Sequence, residues 1–129
     1  MRFMVIVKAD QDSEAEVLPD KEELADIEKF KDSLARAGVL LAAEDLHPGS
    51  KGFRVGFTGS GASVAEGPFT TRELITGFLL LQVKSVEEAI EWAKRCPVRA
   101  GGQIEIRPIY EAADLYFGSP APPRADEGN

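Results

Sequence analysis

One histidine, His47, and three separated carboxylates, Glu44, Glu66 and Glu105, are the side chains of this sequence best suited to move a proton. An imidazole titrates near neutral pH, so His47 can act as a general base where Glu44, Asp45 or Glu66 lies close enough to orient it. A histidine in a turn before proline also commonly makes a local hydrogen bond, and both readings stand. Glu66 follows a short apolar run and precedes Gly67-Pro68, where a rigid turn would fix its carboxylate in place. There it would either orient a ligand, a proton or His47, or accept backbone N–H bonds within the turn. In QIEIRPI, strand alternation puts Ile104 and Ile106 on one face and Glu105 and Arg107 on the other. If the isoleucines pack beneath helices, Glu105 and Arg107 point into a different space, and Glu44 can point the same way. A buried carboxylate–guanidinium cluster must be a salt bridge or a binding site; otherwise the two are an ordinary strand-surface pair.

Other chemistries find less support. A single histidine cannot anchor a familiar zinc site alone; a metal held by His47 with several carboxylates is the weakly supported alternative, and no metal is expected. Cys96 closes a helix, where the backbone carbonyls raise a thiol pKa, so it reads as structural. Gly59-Ser60-Gly61 joins two strands and does not open a helix, so it lacks the geometry of a phosphate cradle. Ser60 and Ser63 sit in no nucleophile elbow. No cofactor fingerprint is present, and no cofactor is expected.

The elements that must position these residues are legible from their patterns. Residues 3–7 (FMVIV) and 77–83 (GFLLLQV) are apolar at both parities and predict strands buried on both faces. Asp20 with Glu23 makes a capping box that opens a helix. Its buried stripe is Leu24, Ile27, Phe30, Leu34 and Ala37, and Gly38 ends it. Residues 39–43 predict a second strand. Residues 53–57 and 62–65 flank Thr58-Gly59-Ser60-Gly61 as a hairpin. Ser85 and Glu88 suggest a second capping box, opening a helix that stops at Cys96-Pro97, and residues 103–109 predict the last strand. Residues 10–16 read as an acidic loop and residues 118–129 as a mobile Pro- and Gly-rich tail, leaving one domain over 1–117. The order strand, helix, strand, hairpin, strand, helix, strand is the ferredoxin-like split βαβ of an α+β protein, with the hairpin inserted. The doubly apolar strands leave the sheet face opposite the helices in need of cover. A second copy is the simplest cover, so a homodimer is expected.

The 129 residues suit a single domain, and 43% hydrophobic with 29% charged residues is a globular composition. A net charge of −7 argues against nucleic acid as a partner. No apolar run approaches the roughly 20 residues that span a bilayer, and the start lacks a signal-peptide pattern, so a cytoplasmic protein without a membrane partner is expected.

The stretches GVLLAAEDLHPGSKGFRVGF, VAEGPFTTRELITGF, LQVKSVEEAIEWAKRCP and IEIRPIYEAADL occur in order and together resemble the DGPF subgroup of YCII-related proteins. The resemblance covers about residues 1–115. It implies a dimeric α+β barrel and supports a polar set made of Glu44, His47, Glu66, Arg72, Glu73, Glu105 and Arg107. Members outside this subgroup include an enzyme domain in which a His-Asp pair is proposed to act, and DGPF genes often neighbour those for extracytoplasmic-type sigma factors. Two departures matter. The signature aspartate is Glu66, whose extra methylene moves the carboxylate by about 1.5 Å. Arg72-Glu73 replaces a Lys-Glu pair, and Arg and Lys are unequal hydrogen-bonding partners. The expected function is binding of an unidentified small molecule in the dimer barrel, extended by acid–base catalysis if His47 and Glu66 act together. The alternative is a non-catalytic regulatory or interaction module linked to sigma-factor signalling.

Overall fold

A computed structural model of the chain describes residues 1–9, 20–69 and 74–117. The expected acidic loop, the Arg72-Glu73 pair and the tail at 118–129 lie outside the described residues. Four strands form one antiparallel sheet in the order β2–β5–β1–β6: β1 (Arg2–Ala9), β2 (Leu40–Asp45), β5 (Leu74–Gln82) and β6 (Gln103–Pro108). Helix α1 (Lys21–Arg36) joins β1 to β2, and α2 (Val86–Lys94) joins β5 to β6. Among the described residues, strands β3 (Phe53–Thr58) and β4 (Gly61–Glu66) pair only with each other. The result is an α+β fold compatible with the ferredoxin-like order, with the hairpin inserted between β2 and β5. A short α3 (Ala112–Phe117) after β6 had no clear sequence signal. Among the described residues, no helix is long and apolar enough to cross a membrane.

The core lies on one side of the sheet. Phe3 pairs with Leu81 and Val5 with Leu79, so these four share a face. They are buried together with Phe30 and Leu34 of α1 and Ala89 of α2, which places both helices on that side. Ile104 and Ile106 pack against the same cluster, as alternation in β6 requires. Each such side chain contributes about 1.5–3 kcal/mol when fully buried.

Local signals account for the helix ends. The Asp20 carboxylate accepts from the Glu23 N–H at 2.9 Å, and the Glu23 carboxylate accepts from the Asp20 N–H at 3.2 Å. Gly38, at φ +73°, takes the left-handed conformation that lets the chain leave α1 and enter β2. The cap of α2 is only half of the expected box. Ser85 Oγ accepts from the Glu88 N–H, but the Glu88 carboxylate accepts from Lys84 N, one residue earlier than a box requires. The predicted stripe of α1 also divides. Phe30 and Leu34 are buried, Ala37 is exposed, and Leu24 and Ile27 face a cavity.

Candidate functional site

That cavity measures about 450 Å³ and lies between α1 and the helix-bearing face of the sheet. Leu24, Ile27 and Phe30 line it from α1, and Val7, Ala43 and Leu79 from the strands. The connection from α2 to β6 closes another side with Cys96, Val98 and Arg99. Leu24 and Ile27 of the first turns of α1 face it, whereas Phe30 and Leu34 further along are buried in one cluster with Phe3 and Val5.

Its rim is charged and internally paired. Arg99 forks onto Glu23, Nε to Oε2 at 2.6 Å and Nη2 to Oε1 at 2.9 Å. The Arg99 hydrogen bond, with help from the Asp20 backbone, lowers the Glu23 pKa. Glu23 therefore caps α1 and ties it to the segment before β6. Lys31 reaches Asp45 at 3.4 Å across the opposite edge. Burial, and then the nearby Asp45 charge, push the Cys96 thiol up to about 11, so it is not a nucleophile near neutral pH.

The other sheet face carries a different set. The register aligns Glu44 with Phe78, Phe78 with Ile6, and Ile6 with Glu105 in one cross-strand row. Ala42, Leu80, Met4 and Arg107 form the next. Glu44, Glu105 and Arg107 thus share a face, as expected, but Glu44 and Glu105 are not brought together. Three strand spacings separate them, about 14 Å, too far for one shared proton. Glu105 is instead held at 2.5 Å by Lys8 and at 3.0 Å by Arg107. The Lys8 hydrogen bond first, and Arg107 second, lower its pKa from the ordinary 4.5. A carboxylate held in this way is a poor proton carrier near neutral pH. Because the folded-state pKa is depressed, the associated stability is present above pH 4.5 and is lost as pH falls through the lower folded value. The melting temperature of the native chain should therefore fall more steeply than that of Glu105→Gln as pH drops below 4.5. Parallel curves would show that the cluster contributes nothing.

His47 and Glu66 each precede one of the two segments that form a small clamp. After His47, Pro48 leads into a single 3₁₀ turn, Gly49–Lys51, closed by Lys51 N donating to Pro48 O at 2.9 Å. After Glu66, the cis Gly67-Pro68 bond leads to Phe69. The two segments meet where Gly67 N donates to Gly52 O at 2.9 Å. A side chain on Gly67 would lie 1.8 Å from Gly49 O, so only glycine fits. The Arg54 guanidinium covers the Phe69 ring at 4.0 Å from its centroid. Both His47 and Glu66 are exposed beside this clamp. Leu46 and Pro48, the neighbours of His47, line the cavity. Among the described residues, no group of three His, Cys, Asp or Glu side chains could hold a metal ion.

The clamp, the capping box and the paired strand face follow one another along most of the chain. The sequence pattern of the YCII-related domain matches residues 1–113. The chain belongs to the YCII-related family. None of the curated proteins matches it. In this YCII-related chain the match spans β1 to the start of α3, and so includes both the cavity and the clamp. In the sequence Glu23 carries a signal only as a helix cap, and nothing marks Arg99, Lys31 or Asp45 as rim residues. The one available signal was Leu24 and Ile27, two apolar positions in the first turns of a helix.

Proposed function

We propose that this YCII-related protein, of the DGPF type, binds a small molecule in the cavity between α1 and the sheet and works as a homodimer paired through the open sheet face into an α+β barrel. The observation that carries the reading is the cavity itself. About 450 Å³ of apolar-walled space with a few charged groups at its rim is the size and character of small-molecule sites. The ligand class it fits has an apolar body and a polar end that reaches Lys31 and Asp45 or Arg99 and Glu23. Acid–base chemistry by His47 and Glu66 extends this reading, because the clamp that carries them adjoins the cavity through Leu46 and Pro48. A non-catalytic regulatory module is the second reading, and the pairing of Glu23 with Arg99 and of Glu105 with Lys8 and Arg107 favours it, since these charges already satisfy one another.

A thermal-shift screen against metabolite classes, run in parallel on the native chain and on Ile27→Trp, tests the proposal. A ligand at 100 times its Kd adds about 2.7 kcal/mol to stability. An indole at position 27 projects into the cavity, so ligands that raise the native melting temperature should leave the variant unshifted. Shifts of equal size in both proteins would place the binding site elsewhere.

A further inference from the structure

Among the described strands, β3 and β4 are the ones in which every residue is exposed. Neither strand joins the four-stranded sheet. A lone two-stranded hairpin is marginally stable in water and needs a surface to pack on. Its two faces differ sharply. The register Phe53↔Glu66, Val55↔Val64 and Phe57↔Ala62 gathers Phe53, Val55, Phe57 and Val64 on one face. They are 66%, 51%, 82% and 68% exposed. The other face is Arg54, Gly56 and Thr58 opposite Ala65, Ser63 and Gly61. Four large apolar side chains in one wet patch present on the order of 400 Å², a size that marks interaction sites.

We infer that this apolar face is an arm that docks onto a second copy of the chain, an inference that deepens the homodimer reading and rests on it. Position is the first argument. The arm follows β2, the edge strand of the open sheet face, after only residues 46–52, so it starts at the border of the surface that the homodimer would bury. Area is the second. Two arms at about 400 Å² each, with equal receiving surface on the partner, reach the roughly 1,600 Å² of a standard stable interface. Charge is the third. Arg54 and Glu66 are the only charged residues in the arm and sum to zero, so the arm adds no net charge to a contact between two chains of net charge −7. Symmetry agrees: identical arms exchanged about a two-fold axis close the assembly and leave neither patch wet.

The test places a benzophenone side chain at Phe57 of an otherwise native chain, co-expressed with an affinity-tagged copy that lacks it. Irradiation should yield a covalent dimer containing the tagged copy. Cross-links confined to one chain in a protein that light scattering shows to be dimeric would overturn the arm and leave the homodimer standing. A monomer at micromolar concentration would overturn both. As a second readout, the double variant Phe53→Ser with Phe57→Ser should raise the dimer Kd at least tenfold while its far-ultraviolet dichroism stays native. An unchanged Kd would also overturn the arm.

Discussion

Gly67→Ala should lower stability by about 2–3 kcal/mol, in the range of overpacked interior sites, although it adds one methyl group at the base of an exposed hairpin. The added carbon would lie 1.8 Å from Gly49 O, where ordinary contact begins near 3.4 Å. Backbone must therefore move on one side or the other. Any such movement disturbs the Gly67 N to Gly52 O hydrogen bond at 2.9 Å, and the added carbon also crowds the Phe69 ring, whose Cε2 would lie 3.2 Å from it. Gly59→Ala is the matched control. It lies in the hairpin loop, and a side chain there meets nothing within 4 Å. Urea unfolding of both variants should show the first well below the native chain and the second within about 0.5 kcal/mol of it. If Gly67→Ala unfolds with the native midpoint, the two turns are not clamped, and the Gly-Pro-Phe segment needs another explanation. The division of labour within the motif is what is at stake: Gly67 and Phe69 hold the turn, and Glu66 is left available.

How much of this was legible in the sequence depends on the distance over which each feature is encoded. Asp20 and Glu23 are three residues apart, and their capping box was readable because the bond partners are neighbours in sequence. Alternation separated Ile104 and Ile106 from Glu105 and Arg107 for the same reason, and the turn residues placed the hairpin correctly. The second cap failed at Glu88, since a serine with a glutamate three residues on does not dictate which N–H the glutamate takes. Long-range pairs were invisible. Arg99 meets Glu23 across 76 positions, and nothing local to either residue announces the other. The cavity was hidden in a similar way: Leu24 and Ile27 read as core because a helical stripe records which side faces inward, not whether anything fills the space it faces. Glu44 and Glu105 were rightly given one face, but strand order, which sets the distance between them, is a property of the whole sheet.

Glu66→Gln should leave stability within about 0.5 kcal/mol of the native chain and weaken ligand binding or turnover at least tenfold, about 1.4 kcal/mol. The sequence left two roles open for this carboxylate, and the geometry weighs against the structural one. A turn-capping carboxylate accepts backbone N–H bonds, yet the adjacent Gly67 N–H goes to Gly52 O. The side chain is exposed at the end of β4, on the same face as Phe53, and is held there by a clamp that does not need its charge. Gln keeps the shape and removes the charge, so it separates a carboxylate that acts from one that merely occupies space. His47→Gln completes a cycle. If imidazole and carboxylate serve one proton transfer, the double variant should be little worse than either single change, because groups acting as a unit are not additive. Fully additive losses would mean that the two contact the ligand separately. A Glu66→Gln protein with native affinity and turnover would remove Glu66 from the site and leave the cavity rim, Lys31 with Asp45 and Arg99 with Glu23, as the place where ligand polarity is read.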